Sequence, residues 1–369
     1  MKVHCVKEKL KEYIIQADSL TAGKNINLPI LNSILLITED KLLKIRSTNL
    51  DLGVEFSLPV KVEKSGSVAV PGNILSGVLL GLSGEENITL ELINDNLVIS
   101  TKTNTTLIKS YSPKDFPTIP KIKKNISIDI SMEKFILGLK SVSYSSAISD
   151  IKPEISSVYI YPSGKKIIFV ATDTFRLAEK NIISDKITEF QGVIIPLKNV
   201  NEIIKIFSNS NDIKNIKVSF DQNQIMFSTD DIYIISRTIN SSYPDYKQII
   251  PTEFTTEIIV LKKDIVNALK LINIFIDKFN KVNIKTNITN KTLELDSKNI
   301  DIGENTTNIN ATIKGEEINV KFNSKYLLEG LQSINQDSVV LKYNSKQEVL
   351  IIQGVSDGSF VYLVKPINK

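Results

Sequence analysis

The stretch 126-ISIDISMEKFILGLKSV-142 is an apolar strand that runs straight into a Lys-flanked amphipathic helix, and the chain repeats it. The same order returns at 256-TEIIVLKKDIVNALKLI-272 and, more loosely, at 2-KVHCVKEKLKEYII-15. A second unit recurs beside it: strand, helix, then two strands about a polar turn. It reads 68-VAVPGNILSGVLLGLSG-84 with 88-ITLELINDNLVIST-101, then 193-VIIPLKNVNEIIKIFSNS-210 with 216-IKVSFDQNQIMFST-229. Its third copy is 318-INVKFNSKYLLEGLQSI-334 with 338-SVVLKYNSKQEVLIIQ-353. Self-similarity at a fixed period marks an assembly of like units.

Two landmarks measure the period. Leu10, Phe135 and Ile265 are 125 and 130 residues apart, and Pro71, Pro196 and Asn323 are 125 and 127 apart. Pro71 and Pro196 stand where a helix begins, a place that tolerates a residue without an N–H. Asn323 and Ser324 are capping residues at the matching place. Turns at Asn94-Asp95-Asn96, Asp221-Gln222-Asn223 and Asn344-Ser345-Lys346 suit hairpins. Strand alternation, as in Ile216, Val218 and Phe220 against Lys217 and Ser219, buries one sheet face only. Each third thus reads as two helices on antiparallel strands, an α+β class. The Pro-containing stretches near 117–126 and 244–255 divide the chain into 1–125, 126–251 and 252–369.

Helical periodicity shows which way each helix faces. In the first type, Leu10, Ile14 and Ala17 form the apolar stripe, matched by Phe135, Leu139, Val142 and by Ile265, Leu269, Ile272. Ile15, Lys140 and Lys270 point away. In the second type, Leu75, Val78, Leu79 and Leu82 face inward, as do Val200, Ile203, Ile204, Phe207 and Leu327, Leu331, Ile334. Outward are Asn73, Gly77, Leu80, then Lys198, Glu202, Lys205, then Lys325, Glu329, Gln332. Recurrent outward Lys fits a solvated face, and equally a basic face offered to a polyanion. Glu202 and Glu329 on the same faces favour the first.

The 369 residues suffice for two or three cored domains. Hydrophobic content of 42% and charged content of 23% are those of a soluble globular protein. No apolar run is long enough to span a bilayer, and the first residues lack the apolar core of a secretory signal. The single cysteine, Cys5, excludes an internal disulfide and fits a reducing compartment, with the cytoplasm expected. Net charge is +4; three basic residues are Arg (Arg46, Arg176, Arg237) and 42 are Lys. Heavy use of Lys, Asn and Ile reads first as a compositional bias, so lysine placement matters more than number.

Catalytic motifs fail on context. Gly354-Val355-Ser356-Asp357-Gly358 has the G-x-S-x-G spacing, but a strand follows it, and the only histidine is His4. Ser163-Gly164-Lys165-Lys166 sits in a polar turn. No phosphate-binding loop exists, and His4 with Cys5 cannot assemble a zinc site. An enzyme would need Lys or carboxylate chemistry alone.

One segment is specific. The run 170-VATDTFRLA-178 resembles the ATDGHRLA-type signature of the bacterial DNA polymerase III beta subunit, the sliding clamp. In order and spacing, 28-LPILNSILL-36, 48-TNLDLGVEF-56, 70-VPGNILSGVLLGL-82, 115-DFP-117, 192-GVIIP-196, 242-SYPDYKQIIP-251 and 363-LVKPINK-369 agree with it, so the resemblance covers the whole chain. It implies three clamp-type domains and a head-to-tail homodimer. The resulting ring has helices lining the hole and strands outside. Such a ring encircles duplex DNA regardless of sequence, tethers the replicative polymerase catalytic subunit, and is placed by an ATP-dependent loader. It needs no cofactor and has no catalytic activity. Lys24, Lys140, Lys198, Lys205, Lys270 and Lys325 become the DNA-facing residues.

The resemblance also implies a pocket for short linear motifs of polymerases, the loader and repair proteins. Residue by residue it falls on Ile155, Thr172, Thr174, Phe175, Arg176, Leu177, Pro244, Ile249, Val364, Pro366 and Ile367. Leu177 and Ile155 also suit plain core packing, whereas the Arg176 charge demands a partner. Leu107, Ile272 and Ile274 are the implied dimer contacts. The chain departs from the pattern in two places: Thr174-Phe175 replaces the usual Gly-His, and 365-KPINK-369 replaces the usual M-P-M-R-L. Asn73 stands where many relatives carry Arg. A repeat-built scaffold that binds peptide motifs but not DNA is the alternative.

Overall fold

The computed structural model describes all residues except 22–27, 85, 123–125, 150, 185–187, 211–212, 222 and 368–369. Among the described residues six α-helices form, each directly after a strand. They are α1 (Lys7–Thr21), α2 (Gly72–Gly81), α3 (Met132–Ser143), α4 (Leu197–Ser208), α5 (Lys262–Ile272) and α6 (Ser324–Gln332). Helix starts differ in chemistry at equivalent places. Pro71 and Pro196 are themselves the N-caps, one position earlier than the sequence implied. Asn323 caps α6 by accepting from the backbone N–H of Lys325 (3.0 Å) and Tyr326 (3.3 Å).

The apolar stripes are core, except that Val78, Leu82 and Ile204 are only half-buried. Leu10, Ile14, Ala17, Leu75, Leu79, Phe135, Leu139, Val142, Val200, Ile203, Phe207, Ile265, Leu269, Ile272, Leu327, Leu331 and Ile334 are all buried. Each large side chain among them stabilises the fold by ~1.5–3 kcal/mol. Gly138 and Gly330 allow a close helix-to-sheet approach. A Cβ on Gly138 would lie 2.6 Å from the Phe169 ring, and one on Gly330 would overlap the Tyr362 ring. Only glycine fits there.

The chain forms two units: Met1–Ile136 with Thr188–Asn240, and Leu137–Ile187 with Ser241–Lys369. The first holds an eight-stranded sheet in the order 126–131, 215–221, 224–228, 232–237, 52–59, 42–48, 33–39, 67–71. It also holds a five-stranded sheet ordered 61–64, 2–6, 87–93, 96–100, 105–108. In the second unit one sheet runs 157–163, 166–172, 176–183, 360–364, 349–354, 338–344, 256–261, 312–315. A four-stranded sheet there runs 303–310, 292–299, 281–287, 319–323. In each large sheet an antiparallel pair joins strands of two different repeats. In the first unit Ile232–Ser236 pairs with Leu52–Phe56, and in the second Phe360–Val364 pairs with Arg176–Lys180.

The Asn94–Asn96 hairpin forms as the sequence implies, the strands of the second copy pair from Asp221 and Gln224 with Gln222 outside the described residues, and the third copy needs one adjustment. The third copy turns over 345–348, with Glu348 at φ +51° and the Asn344 side chain accepting from Gln347 N–H at 2.7 Å. Ser163 and Lys166 close a hairpin, and Ser356 lies in a turn followed by strand Phe360–Val364. Neither sits at a helix start, so neither can act as an activated nucleophile of those motif classes. Among the described residues, no helix is long and apolar enough to cross a membrane.

Candidate functional site

The 172–177 turn is built by its own side chains. Thr172 Oγ1 donates to the Arg176 carbonyl (2.6 Å) and accepts from Thr174 N–H (3.1 Å). Asp173 Oδ1 accepts from the N–H groups of Phe175 and Arg176, both at 2.9 Å. The turn forces Thr174 to φ +77°, a region where a β-branched residue is strained and glycine is not. That is the structural meaning of glycine in the related signature.

Strand alternation then divides the neighbours. Arg176 pairs with Val364 and points to the helix-covered face, while Leu177 pairs with Leu363 on the opposite face. Leu177, Leu363, Ile168, Val170, Ile351 and Tyr246 form one buried cluster, with Tyr159, Tyr161 and Tyr243 packed against it. Tyr159 stacks on Tyr161 (5.0 Å) and Tyr243 (4.8 Å). Val364, a predicted pocket residue, therefore lies buried on the Arg176 side, and Leu363 is the strand residue beside Leu177. Period-two counting from Leu177 across the pair would have found Leu363, but the pairing register was not legible in the sequence.

Arg176 is held inside the protein. It is 7% exposed and fully engaged. Its Nε donates to Asp173 Oδ2 at 2.9 Å, and its guanidinium donates to Glu329 and to the Tyr144 carbonyl. Its Cζ lies 4.2 Å from the Tyr326 ring centroid. Burial alone would lower its pKa, but the facing Tyr362, Glu329 and Asp173 outweigh this and hold it above its ordinary value. The expected partner for its charge exists, and it is internal. Glu329, read as an outward residue of α6, turns to this arginine.

What faces solvent is Phe175, 61% exposed, with exposed Thr174, Pro244, Ile249 and Lys365. The Phe175 carbonyl accepts from Lys365 N–H (2.9 Å), and Ile367 N–H donates to the Lys321 carbonyl (2.9 Å). These bonds fix the half-buried Pro366 and Ile367 beside the turn. Ile155 is buried, and its carbonyl accepts from Ala147 N–H at 2.9 Å, closing a loop whose Ile148 and Ile151 are exposed. Thr172 through Leu177 and 364–367 are thus brought together, while Ile155 is set by a separate loop.

The lysines stand on helix exteriors. Lys198 and Lys205 on α4, Lys140 on α3, Lys270 on α5 and Lys325 on α6 are exposed. Lys24 lies outside the described residues. Lys140, Lys205 and Lys270 occupy last turns, where a cation also complements the helix dipole. The acidic residues on these faces are diverted. Glu202 accepts from Ser19 Oγ at 2.9 Å, and Lys205 stands 4.0 Å off. Glu329 takes Arg176, with Lys325 3.9 Å away. The carboxylates that argued for a merely solvated face are therefore partly spent inside the protein.

Of the three implied dimer contacts, two are surface and one is not. Leu107, 54% exposed, lies on edge strand Thr105–Ile108. Ile274 is exposed just after α5, beside a sheet whose edge is Gly303–Asn310. Ile272 is fully buried as part of the α5 core stripe, and the exposed apolar residue of that turn is Leu271.

The chain matches the DNA polymerase III beta subunit models in order: N-terminal domain over 1–120, central domain over 129–245 and C-terminal domain over 247–368. It is 27% identical to the Synechococcus elongatus beta sliding clamp over 348 residues, 93% of this chain and 92% of that one. It is 24% identical to the Staphylococcus epidermidis beta sliding clamp over 370 residues, 97% and 98% of the two chains. Among solved structures, it is similar to the Bacillus subtilis DNA polymerase sliding clamp with a TM-score of 0.94 at 22% identity, covering 100% of this chain and 99% of that one. Similarity to the Thermotoga maritima beta subunit gives 0.92 at 24%, with the same coverage. The chain belongs to the DNA polymerase III beta subunit family.

Proposed function

We propose that this protein is a DNA sliding clamp, a non-catalytic processivity factor that encircles duplex DNA and tethers the replicative polymerase. The observation that carries the reading is the match of all three family domains, in order, along the chain. Exposed lysines on α3, α4, α5 and α6 support it, because sequence-independent binding needs phosphate contacts and no base readout. Lys140, Lys198, Lys205, Lys270 and Lys325 are the proposed DNA-facing residues. Few contacts suit sliding, since topological linkage holds the ring on DNA while each contact stays weak.

The repeats 1–125, 126–251 and 252–369 are the proposed domains. Two chains close head to tail, with edge strand Thr105–Ile108 and Leu107 of one copy meeting edge strand Gly303–Asn310 and Ile274 of the other. Exposed strand edges carry unpaired N–H and C=O groups that such pairing satisfies. An ATP-dependent loader opens this contact, in the cytoplasm. Linear motifs of the polymerase, loader and repair polymerases dock at Phe175, Pro244, Ile249, Pro366 and Ile367, over a floor to which the buried Leu177 contributes, while Arg176 holds the turn from the opposite face of the strand.

The test is retention on circular DNA. The protein is loaded by its own loader onto a nicked circle, which is then cut once. A clamp slides off the linear product and stays on the circle. Equal retention on both forms would favour the peptide-binding scaffold that does not enclose DNA.

A further inference from the structure

The 172–177 turn occurs twice. In the first unit, Thr48 Oγ1 donates to the Leu52 carbonyl (2.9 Å) and accepts from Leu50 N–H (3.0 Å). Asn49 Oδ1 accepts from the N–H groups of Asp51 (3.0 Å) and Leu52 (2.8 Å). Leu50 stands at φ +75°, beside +77° for Thr174. Bond for bond this is the Thr172-to-Arg176 turn, with Asn49 in the role of Asp173.

The surroundings repeat as well. Gly53 pairs with Ile235 as Leu177 pairs with Leu363. Arg237 N–H donates to the Asp51 carbonyl (2.8 Å) as Lys365 N–H donates to that of Phe175 (2.9 Å). A cation therefore stands at the same rim position in both units. The floor differs. Gly53 replaces Leu177, and Ile119, which lies 3.2 Å from a Cβ built on Gly53, follows Phe116-Pro117 as Tyr246 follows Tyr243-Pro244. Smaller side chains leave space: a cleft of about 310 Å³ lined by Leu50, Gly53, Pro117, Ile119, Ile235 and Arg237, among others. The Arg237 side chain is 66% exposed, and its carboxylate neighbour Asp51 is equally exposed and 3.9 Å away. Such a pair is loose and exchangeable.

We infer that this cleft in the first unit is a second docking site for a linear peptide. It takes one or two apolar side chains against Ile119 and Ile235, and a carboxylate on Arg237. The inference borrows from the 172–177 reading only the class of ligand. Apolar walls with one cation at the rim suit an apolar segment ending in an acidic group. A non-glycine residue held at positive φ in the rim marks a surface whose shape is imposed rather than incidental.

The probe is N-acetyl-Leu-Phe with a free terminal carboxylate, titrated into full-length protein carrying labelled isoleucine δ1 methyls. The methyls of Ile119 and Ile235 report the first-unit cleft, and those of Ile249 and Ile351 report the second unit. The expected result is a saturable shift of Ile119 and Ile235 that weakens about tenfold in Arg237→Glu, as loss of a charged hydrogen bond requires. In that variant the second-unit shifts stay unchanged. Absence of any Ile119 or Ile235 shift up to the probe's solubility overturns the inference. So does a shift that Arg237→Glu leaves intact, or one that arises without probe as protein concentration rises, which marks a second copy of the chain as the occupant. Failure of the second-unit methyls alone to respond strikes the 172–177 reading and leaves this one standing.

Discussion

Thr174 is held at φ +77° by bonds from Thr172 and Asp173. The left-handed region costs a non-glycine residue ~1–2 kcal/mol, part of which glycine returns through its looser unfolded chain. Thr174→Gly should therefore raise the urea midpoint of the second unit by the equivalent of about 0.5–1 kcal/mol, and an unchanged or lower midpoint would show the turn to be relaxed. Arg176→Ala should cost about 3–5 kcal/mol, because it leaves Glu329 and Asp173 partly buried without their cation. Arg176→Lys should not restore the loss, since an ammonium lacks the guanidinium fork that meets Asp173, Glu329 and the Tyr144 carbonyl at once. Motif binding is thus better probed by Phe175→Ala, which should weaken polymerase-peptide affinity at unchanged melting temperature. Burial pushes the Cys5 thiol up to about 12, so iodoacetamide at about pH 8 should alkylate it only in denaturant; rapid native labelling would contradict its burial. The signature at 170–178 marked this site in sequence because short-range turn chemistry is local. Leu363 and Glu329 were illegible because strand register and side-chain aim are settled by residues far away in the chain.

The helix stripes were legible because a 3.6-residue period exposes a buried face without any knowledge of what buries it. The six helices lie where strand-into-helix segments predicted, and the sheet order linking 232–237 to 52–59 did not show, since no local pattern encodes it. Flush packing of α6 makes a sharp demand. Gly330→Ala would drive a Cβ into the Tyr362 ring and should destabilise the second unit by about 1–3 kcal/mol; a neutral effect would mean the helix lifts freely. On the outer faces, Lys140→Glu, Lys198→Glu and Lys205→Glu combined should shorten residence on circular DNA. The salt dependence should flatten too, by a log–log slope of about 0.9 for each phosphate that goes unneutralised. The circular dichroism spectrum should not change. Undiminished retention would return those faces to plain solvation.

A net charge of +4 on 369 residues is small for a protein that handles DNA, and it suits a molecule held by linkage rather than by affinity. The proposed closure would use the exposed sheet edges at Thr105–Ile108 and Gly303–Asn310. If the proposed head-to-tail dimer forms, Leu107→Asp or Ile274→Asp should convert it to monomer in sedimentation at unchanged melting temperature, whereas a persistent dimer would place the contact elsewhere. The stitched sheets carry one more consequence. Four strands of the eight-stranded sheet come from residues 1–125 and four from 126–251, joined where Leu52–Pro59 meets Ile232–Arg237. A gene truncated at that repeat boundary would encode half a sheet with a raw internal edge, prone to precipitate against copies of itself. The seam therefore ties the solubility of each half of the sheet to the presence of the other.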